Sequence, residues 1–167
     1  MNAPHRVDMT DERPTIRVYR STDRDPVIRM LADSDPWKRL GYTAAHWERL
    51  FAPIPSGREG YVMEQDGAIA GLALLRRQFL FGDYLELLAI APWAQRKSLG
   101  RTLLSHLERI VFAQSKNLFA CVSDFNMVAR QFYERNGYVE VGPLPDLLMP
   151  GASEILLRKT IGPAKST

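Results

Sequence analysis

The chain has 167 residues, 46% of them hydrophobic and 25% charged, with a formal net charge of +3. That length supports one domain with a substantial core, and the balance is that of an ordinary globular protein with too little excess positive charge to demand a nucleic acid partner. The single cysteine, Cys121, excludes a disulfide within the chain and fits a reducing cytoplasm; no apolar run reaches the length of a membrane span, and His5, His46 and His106 lie too far apart for metal-ligand spacing.

Residues 1–14 are polar and charged, lack the apolar stretch of a signal peptide, and are expected to form a flexible tail ahead of one domain over 15–162. Alternation of Ile16 and Val18 predicts a strand over 15–20. Ser21, Thr22 and Asp23 then offer caps for a helix over 25–32 carrying Val27, Ile28, Met30 and Leu31. Pro36 breaks the chain, residues 37–41 are ambiguous, and Thr43 caps a second helix over 43–51. A meander follows, with strands over 59–65, 68–79 and 84–90. Asp66-Gly67 makes its first hairpin, and the middle strand is expected to bulge near Gly71. An amphipathic helix over 99–115 presents Leu99, Leu103, Leu104, Leu107, Ile110 and Val111 as its apolar stripe. A buried strand over 118–122 leads to a helix begun by Asn126 and ended by Gly137. On that helix Val128, Ala129, Phe132 and Tyr133 are spaced to share one face. A short strand over 139–141, a Pro-rich loop over 142–151 and a strand over 153–159 complete the order β-αα-βββ-α-β-α-β-β. A doubly wound parallel sheet would suit the second half alone. The three antiparallel strands in front argue for a mixed α/β sheet instead.

Two runs carry chemistry. The first, Gln95-Arg96-Lys97-Ser98-Leu99-Gly100-Arg101, joins the apolar third strand of the meander to the long helix. Small residues at its fourth and sixth positions let backbone N–H groups face an anion at the positive end of a helix. Arg96, Lys97 and Arg101 add charge, so pyrophosphate is the natural guest. The chain contains no G-x-x-x-x-G-K-[ST], no G-x-G-x-x-G and no G-x-S-x-G. The run resembles the [QR]-x-x-G-x-[GA] loop of the GCN5-related N-acetyltransferases, the GNAT superfamily. Ser98 stands where the family has its first Gly. Serine is a favoured helix N-cap, and its hydroxyl can donate to a phosphate. The second run, residues 126–138, resembles the family's N-x-x-A-x-x-[LF]-Y-x-x-x-G-[FY] through Asn126, Ala129, Phe132, Tyr133, Gly137 and Tyr138. The resemblance is close over 61–138, and the rest of the chain matches in its order of elements.

The resemblance implies a GNAT fold: a mainly antiparallel sheet whose central strand pair splays apart to hold acetyl-CoA. It implies that the pantetheine arm pairs with the backbone of Leu88 and Ile90 and touches Asn126. The pyrophosphate is then expected on the amides of the loop, from Gln95, Arg96, Lys97 and Ser98 to Leu99, Gly100 and Arg101. An acceptor amine attacks the thioester directly. Tyr133 occupies the family's proton-donor position beside the CoA sulfur, and its alternative is a plain core aromatic. Asn126 is equally a helix cap. Glu86 is the candidate base, acting directly or through water, because Tyr84, Glu86 and Leu88 share a face by the period of two. Its alternative is a structural salt bridge, with water or another group receiving the proton. Acetyltransferases of ribosomal proteins use a Glu on the next strand, where this chain has Cys121, whose thiol at an ordinary pKa cannot replace it.

The expected acceptor is a primary amine of a small molecule or a peptide, framed by Asp33, Asp35, Trp37, Tyr42, Trp47 and residues 143–150. The acidic and aromatic mix would suit a cation. No metal, nucleic acid or membrane enters this reading, and a homodimer is compatible with it. The competing class is a non-catalytic acyl-CoA sensor, which needs neither Tyr133 nor Glu86.

Overall fold

The computed structural model describes residues 13–54 and 56–165. All but the last two residues of the expected tail lie outside that range. Seven strands form one sheet: β1 (Thr15–Val18), β2 (Arg58–Gln65), β3 (Ala68–Phe79), β4 (Gly82–Ile90), β5 (Asn117–Ser123), β6 (Val139–Pro145) and β7 (Ser153–Thr160). Their spatial order is β1-β2-β3-β4-β5-β7-β6. Only β4 and β5 run parallel, and the other neighbours are antiparallel. Four helices cover the sheet: α1 (Arg24–Ala32), α2 (Ala44–Leu50), α3 (Leu99–Phe112) and α4 (Met127–Arg135).

Alternation along the strands divides the core in two. On one face Leu99, Leu103, Leu104, Leu107 and Val111 of α3 pack on Tyr61, Met63, Ala73, Leu75 and Leu85. On the other, Val27, Ile28 and Leu31 of α1 and Trp47 of α2 pack on Val62, Leu72, Leu74, Leu87 and Ala89. A fully buried leucine contributes about 1.5–3 kcal/mol, so these two layers, and not helix propensity, hold the helices down. Among the described residues, no helix is long and apolar enough to cross a membrane.

Thr43 caps α2 as expected, its Oγ1 accepting the His46 N–H at 3.4 Å. Asp23 does not cap α1 with its side chain. It accepts instead from the Arg20 N–H at 2.7 Å and from both terminal nitrogens of Arg17, so the charge expected at a helix end pins β1 to the following turn. The bulge near Gly71 is present, because Met63 pairs with Gly71 and Glu64 with Ile69, which leaves Ala70 as the extra residue. The expected loop after residue 141 is a correction. β6 continues through Pro143 and Pro145, which is tolerated because β6 is an edge strand where a missing N–H costs no ladder bond.

Gly82 opens β4 hard against the start of β5. A Cβ there would overlap the Asn117 carbonyl oxygen and lie 2.7 Å from the Asn117 Cβ. That contact brings β4 and β5 together at one end.

Candidate active site

From that end the two strands part. They pair through Asp83 with Leu118, Tyr84 with Phe119 and Leu85 with Ala120, and no further. β4 stays on β3 as far as Ile90 opposite Gly71, while β5 stays on β7 as far as Ser123 opposite Glu154. The second edge of residues 86–90 therefore faces no strand. A bulge marks the point of divergence: Leu74 pairs with Leu87 and Leu75 with Leu85, so Glu86 is the inserted residue.

The bulge corrects the expected shared face of Tyr84, Glu86 and Leu88. Leu85 lies in the α3-side core, whereas Leu87 and Ala89 lie in the α1/α2-side core. The alternation resets at Glu86. Tyr84 and Glu86 look toward α1 and α2, and Leu88 and Ile90 pack toward α3. A period-two count cannot see an inserted residue.

The loop at the far end of β4 exposes a line of amides. Among the described residues, the N–H groups of Arg96 through Arg101 find no protein acceptor, and Thr102 is the first to do so, donating to the Ser98 carbonyl at 3.1 Å. Gln95 is turned back, its Nε2 donating to the Ile90 carbonyl at 3.3 Å. Arg96 and Ser98 have φ of +64° and +59°, and these left-handed residues turn successive N–H groups to one side, as an anion nest requires. Ser98 sits at the N-cap without a side-chain capping bond, so the expected cap is not formed. What the position demands is a left-handed backbone, which glycine adopts without strain. Ser98→Gly should therefore stabilise the protein by about 0.5–1 kcal/mol, the left-handed penalty less the added freedom of the unfolded chain. An unchanged midpoint in urea would contradict this.

Gly100 faces inward. A Cβ there would meet the Phe132 ring at 3.5 Å and Ile90 at 3.6 Å, ordinary contacts. Alanine fits such a place, but a branched side chain must push into the space between the loop, the end of β4 and α4.

α4 closes the other side. Asn126 caps it, its Oδ1 accepting the Ala129 N–H at 3.1 Å, which leaves the side-chain NH₂ for a ligand. Ala129, Phe132 and Tyr133 pack into the α3-side core. Val128 is 81% exposed, against the expected shared face. Its spacing to Phe132 suits either flank of the stripe, and the helix docks with that flank outward. Tyr133 is buried, its ring edge-on to Phe132 at 5.3 Å and Tyr138 at 5.1 Å. Burial first, then Cys121, raises the Tyr133 phenol above its ordinary pKa. Tyr84 is raised by burial and then by Cys121, with Tyr133 adding a smaller effect. The two phenols and the thiol thus sit within electrostatic reach of one another where the strands part.

Residues 24–138 match the acetyltransferase (GNAT) family, more than half of the chain. The chain belongs to the GNAT acetyltransferases. No curated protein sequence matches it. Solved structures do. The ribosomal-protein-S18-alanine N-acetyltransferase of Escherichia coli is 22% identical with a TM-score of 0.75, over 93% of this chain and 98% of that one. The PaiA N-acetyltransferase of Thermoplasma acidophilum, in complex with coenzyme A, is 20% identical with a TM-score of 0.69, over 89% and 99%. The spermidine N-acetyltransferase of Vibrio cholerae, in complex with CoA and spermine, is 19% identical with a TM-score of 0.70, over 88% and 95%. At these identities the likeness is one of fold.

This GNAT protein has a second polar cluster, on the face turned toward α1 and α2. Glu86 Oε1 accepts from Arg58 at 2.6 Å and from Arg76 at 3.1 Å, while its Oε2 is buried without a partner. Tyr42, from the segment between α1 and α2, is raised by burial and then by the charges of Glu154 and Glu86. Glu154 on β7 is 6% exposed, and its Oε1 accepts the Ser123 hydroxyl at 2.6 Å. Sequence reasoning passed over Glu154, Ser123 and Arg58. The available signal was a carboxylate directly before the apolar run Ile155–Leu157 of the last strand. Asp33 and Asp35 are exposed. Arg39 lies 4.0 Å over the Phe125 ring, tying the α1–α2 segment to the turn before α4.

Proposed function

We propose that the protein transfers the acetyl group of acetyl-CoA to a primary amine by direct attack. The observation that carries this reading is the β4–β5 split, which ends in a row of free amides at the start of α3. An extended pantetheine arm fits beside residues 86–90 as an added strand. A pyrophosphate fits the nest at residues 96–101, with Arg96, Lys97 and Arg101 around it. Asn126 offers its free NH₂ to the arm. Two of the similar structures, named N-acetyltransferases, hold coenzyme A, which supports the same cosubstrate here.

Tyr133 is the proton donor to the departing sulfur. Its phenol stays protonated at neutral pH and lies within electrostatic reach of Cys121. Cys121 is no nucleophile, since burial raises its thiol pKa and direct transfer needs none. The double arginine contact favours the salt-bridge role for Glu86, which fixes the bulge. The lone cysteine supports a reducing cytoplasm as the place of action.

Two measurements test the reading. Gly100→Val should weaken CoA binding at least about tenfold, or about 1.4 kcal/mol, by filling the space beside Phe132 and Ile90. Calorimetry that finds parental affinity would place the cofactor elsewhere. Release of free thiol from acetyl-CoA should accelerate with an amine present. An acyl-CoA sensor would bind as tightly and release none.

A further inference from the structure

We propose that Glu154 on β7 is the group that takes the proton from the acceptor amine. This rests on the amine-acetylation reading above and names a residue for a role that reading leaves open.

Geometry puts Glu154 in the right place. It pairs with Ser123 at the last rung of β5 and β7, beside the open end of the split. Its neighbour Ile155 and then Leu157 turn into the α3-side core. By alternation Glu154 faces the opposite side, the one that carries Tyr84, Glu86 and Cys121. Tyr42 is within electrostatic reach of both Glu154 and Glu86.

The surroundings set it apart from Glu86. Among the described residues no Lys, Arg or His comes within ion-pair distance of Glu154. Its neighbours are the Ser123 hydroxyl, Asp124, the Cys121 thiol and the Tyr42 phenol, and across the ladder on β6 the apolar Leu144. A buried carboxylate without a cation is costly and binds a proton readily. Burial raises the pKa of Glu154, with Ser123 opposing and Asp124 reinforcing. Glu86 is clamped by two guanidinium groups. Both guanidinium groups share its Oε1, and the triad's net positive charge repels an ammonium.

The step balances. The amine nitrogen forms its bond to the acetyl carbon, and the surplus N–H proton passes to Glu154, directly or through one water. The C–S bond breaks with its electron pair on sulfur, which takes the Tyr133 proton. Glu154 then loses its proton to solvent, and Tyr133 regains one.

The test follows thiol release by the full chain with acetyl-CoA. Benzylamine, lysine, spermidine and a short alanine-initiated peptide serve as probes, across the pH range in which each amine deprotonates. Glu154→Gln should lower kcat about 10²-fold, with a deficit that shrinks as pH rises. CoA affinity should hold, and Glu154→Asp should recover part of the rate. Glu86→Gln should change the rate without changing the shape of the pH profile. A parental profile in Glu154→Gln, or a pH-dependent deficit in Glu86→Gln alone, overturns the proposal. If Glu154→Gln loses CoA binding, Glu154→Asp carries the comparison. If the parent acetylates no probe, the acetyl-transfer reading fails. The Glu154 proposal falls with it, whereas a parent that turns over while Glu154→Gln keeps its rate and profile overturns the Glu154 proposal alone.

Discussion

Tyr133→Phe is expected to lower kcat by about 10²–10⁴-fold, the usual range for loss of a general acid. Only the hydroxyl is removed. The ring remains edge-on between Phe132 and Tyr138, so packing should survive and CoA affinity should stay within a few-fold. Burial holds the phenol protonated, and Cys121, the first β5 residue past the last pair with β4, lies within its electrostatic reach. The loss should therefore fall on kcat. Steady-state kinetics and CoA titration on one preparation would decide the matter. Full activity in the variant would sink the assignment, and lost folding or CoA binding would favour a plain core aromatic.

Gly82→Ala is expected to destabilise the protein by about 2 kcal/mol, within the range for overpacking, and to lower Tm by about 5 °C for a chain of this size. The added carbon would overlap backbone and not a movable side-chain tip, for it meets the carbonyl oxygen, the carbonyl carbon and the Cβ of Asn117. Relief requires β4 and β5 to separate at the end where they are meant to touch. The Asn117 side chain, which donates to the Phe81 carbonyl at 3.2 Å, resists that movement. Differential scanning calorimetry would read the shift, and an unchanged Tm would show that the strands have slack there.

Much of the scaffold was legible in the residues. The leucine stripe of α3, the Asp66-Gly67 turn and the pair Asn126 and Gly137 each state a local rule that the fold keeps. The mixed sheet followed from the order of elements. Three things were hidden, for physical reasons. The Glu86 bulge inserts one residue without any change in composition, so the side-chain phase after Leu85 could not be counted. Ser98 looks like a helix cap because serine caps well, yet its role here is conformational, set by φ and not by its hydroxyl. Glu154 sits directly before the apolar run Ile155–Leu157 and reads as an ordinary strand-end charge. Its meaning depends on Ser123 and Tyr42, which are remote in sequence and meet it only when β7 inserts between β5 and β6.

The sheet behaves as two leaves bound along a spine of three residue pairs. β1 to β4 form one leaf, and β5, β7 and β6 the other. Past the spine no strand pairing crosses the gap, so hydrogen bonds do not set its width. The spacing is set by the side chains wedged beneath it, where Leu103, Leu104 and Leu107 of α3 and Tyr133 of α4 fill a shared layer. The width of the slot is thus a gauge of core volume, and residues that touch no ligand determine how wide the book stands open.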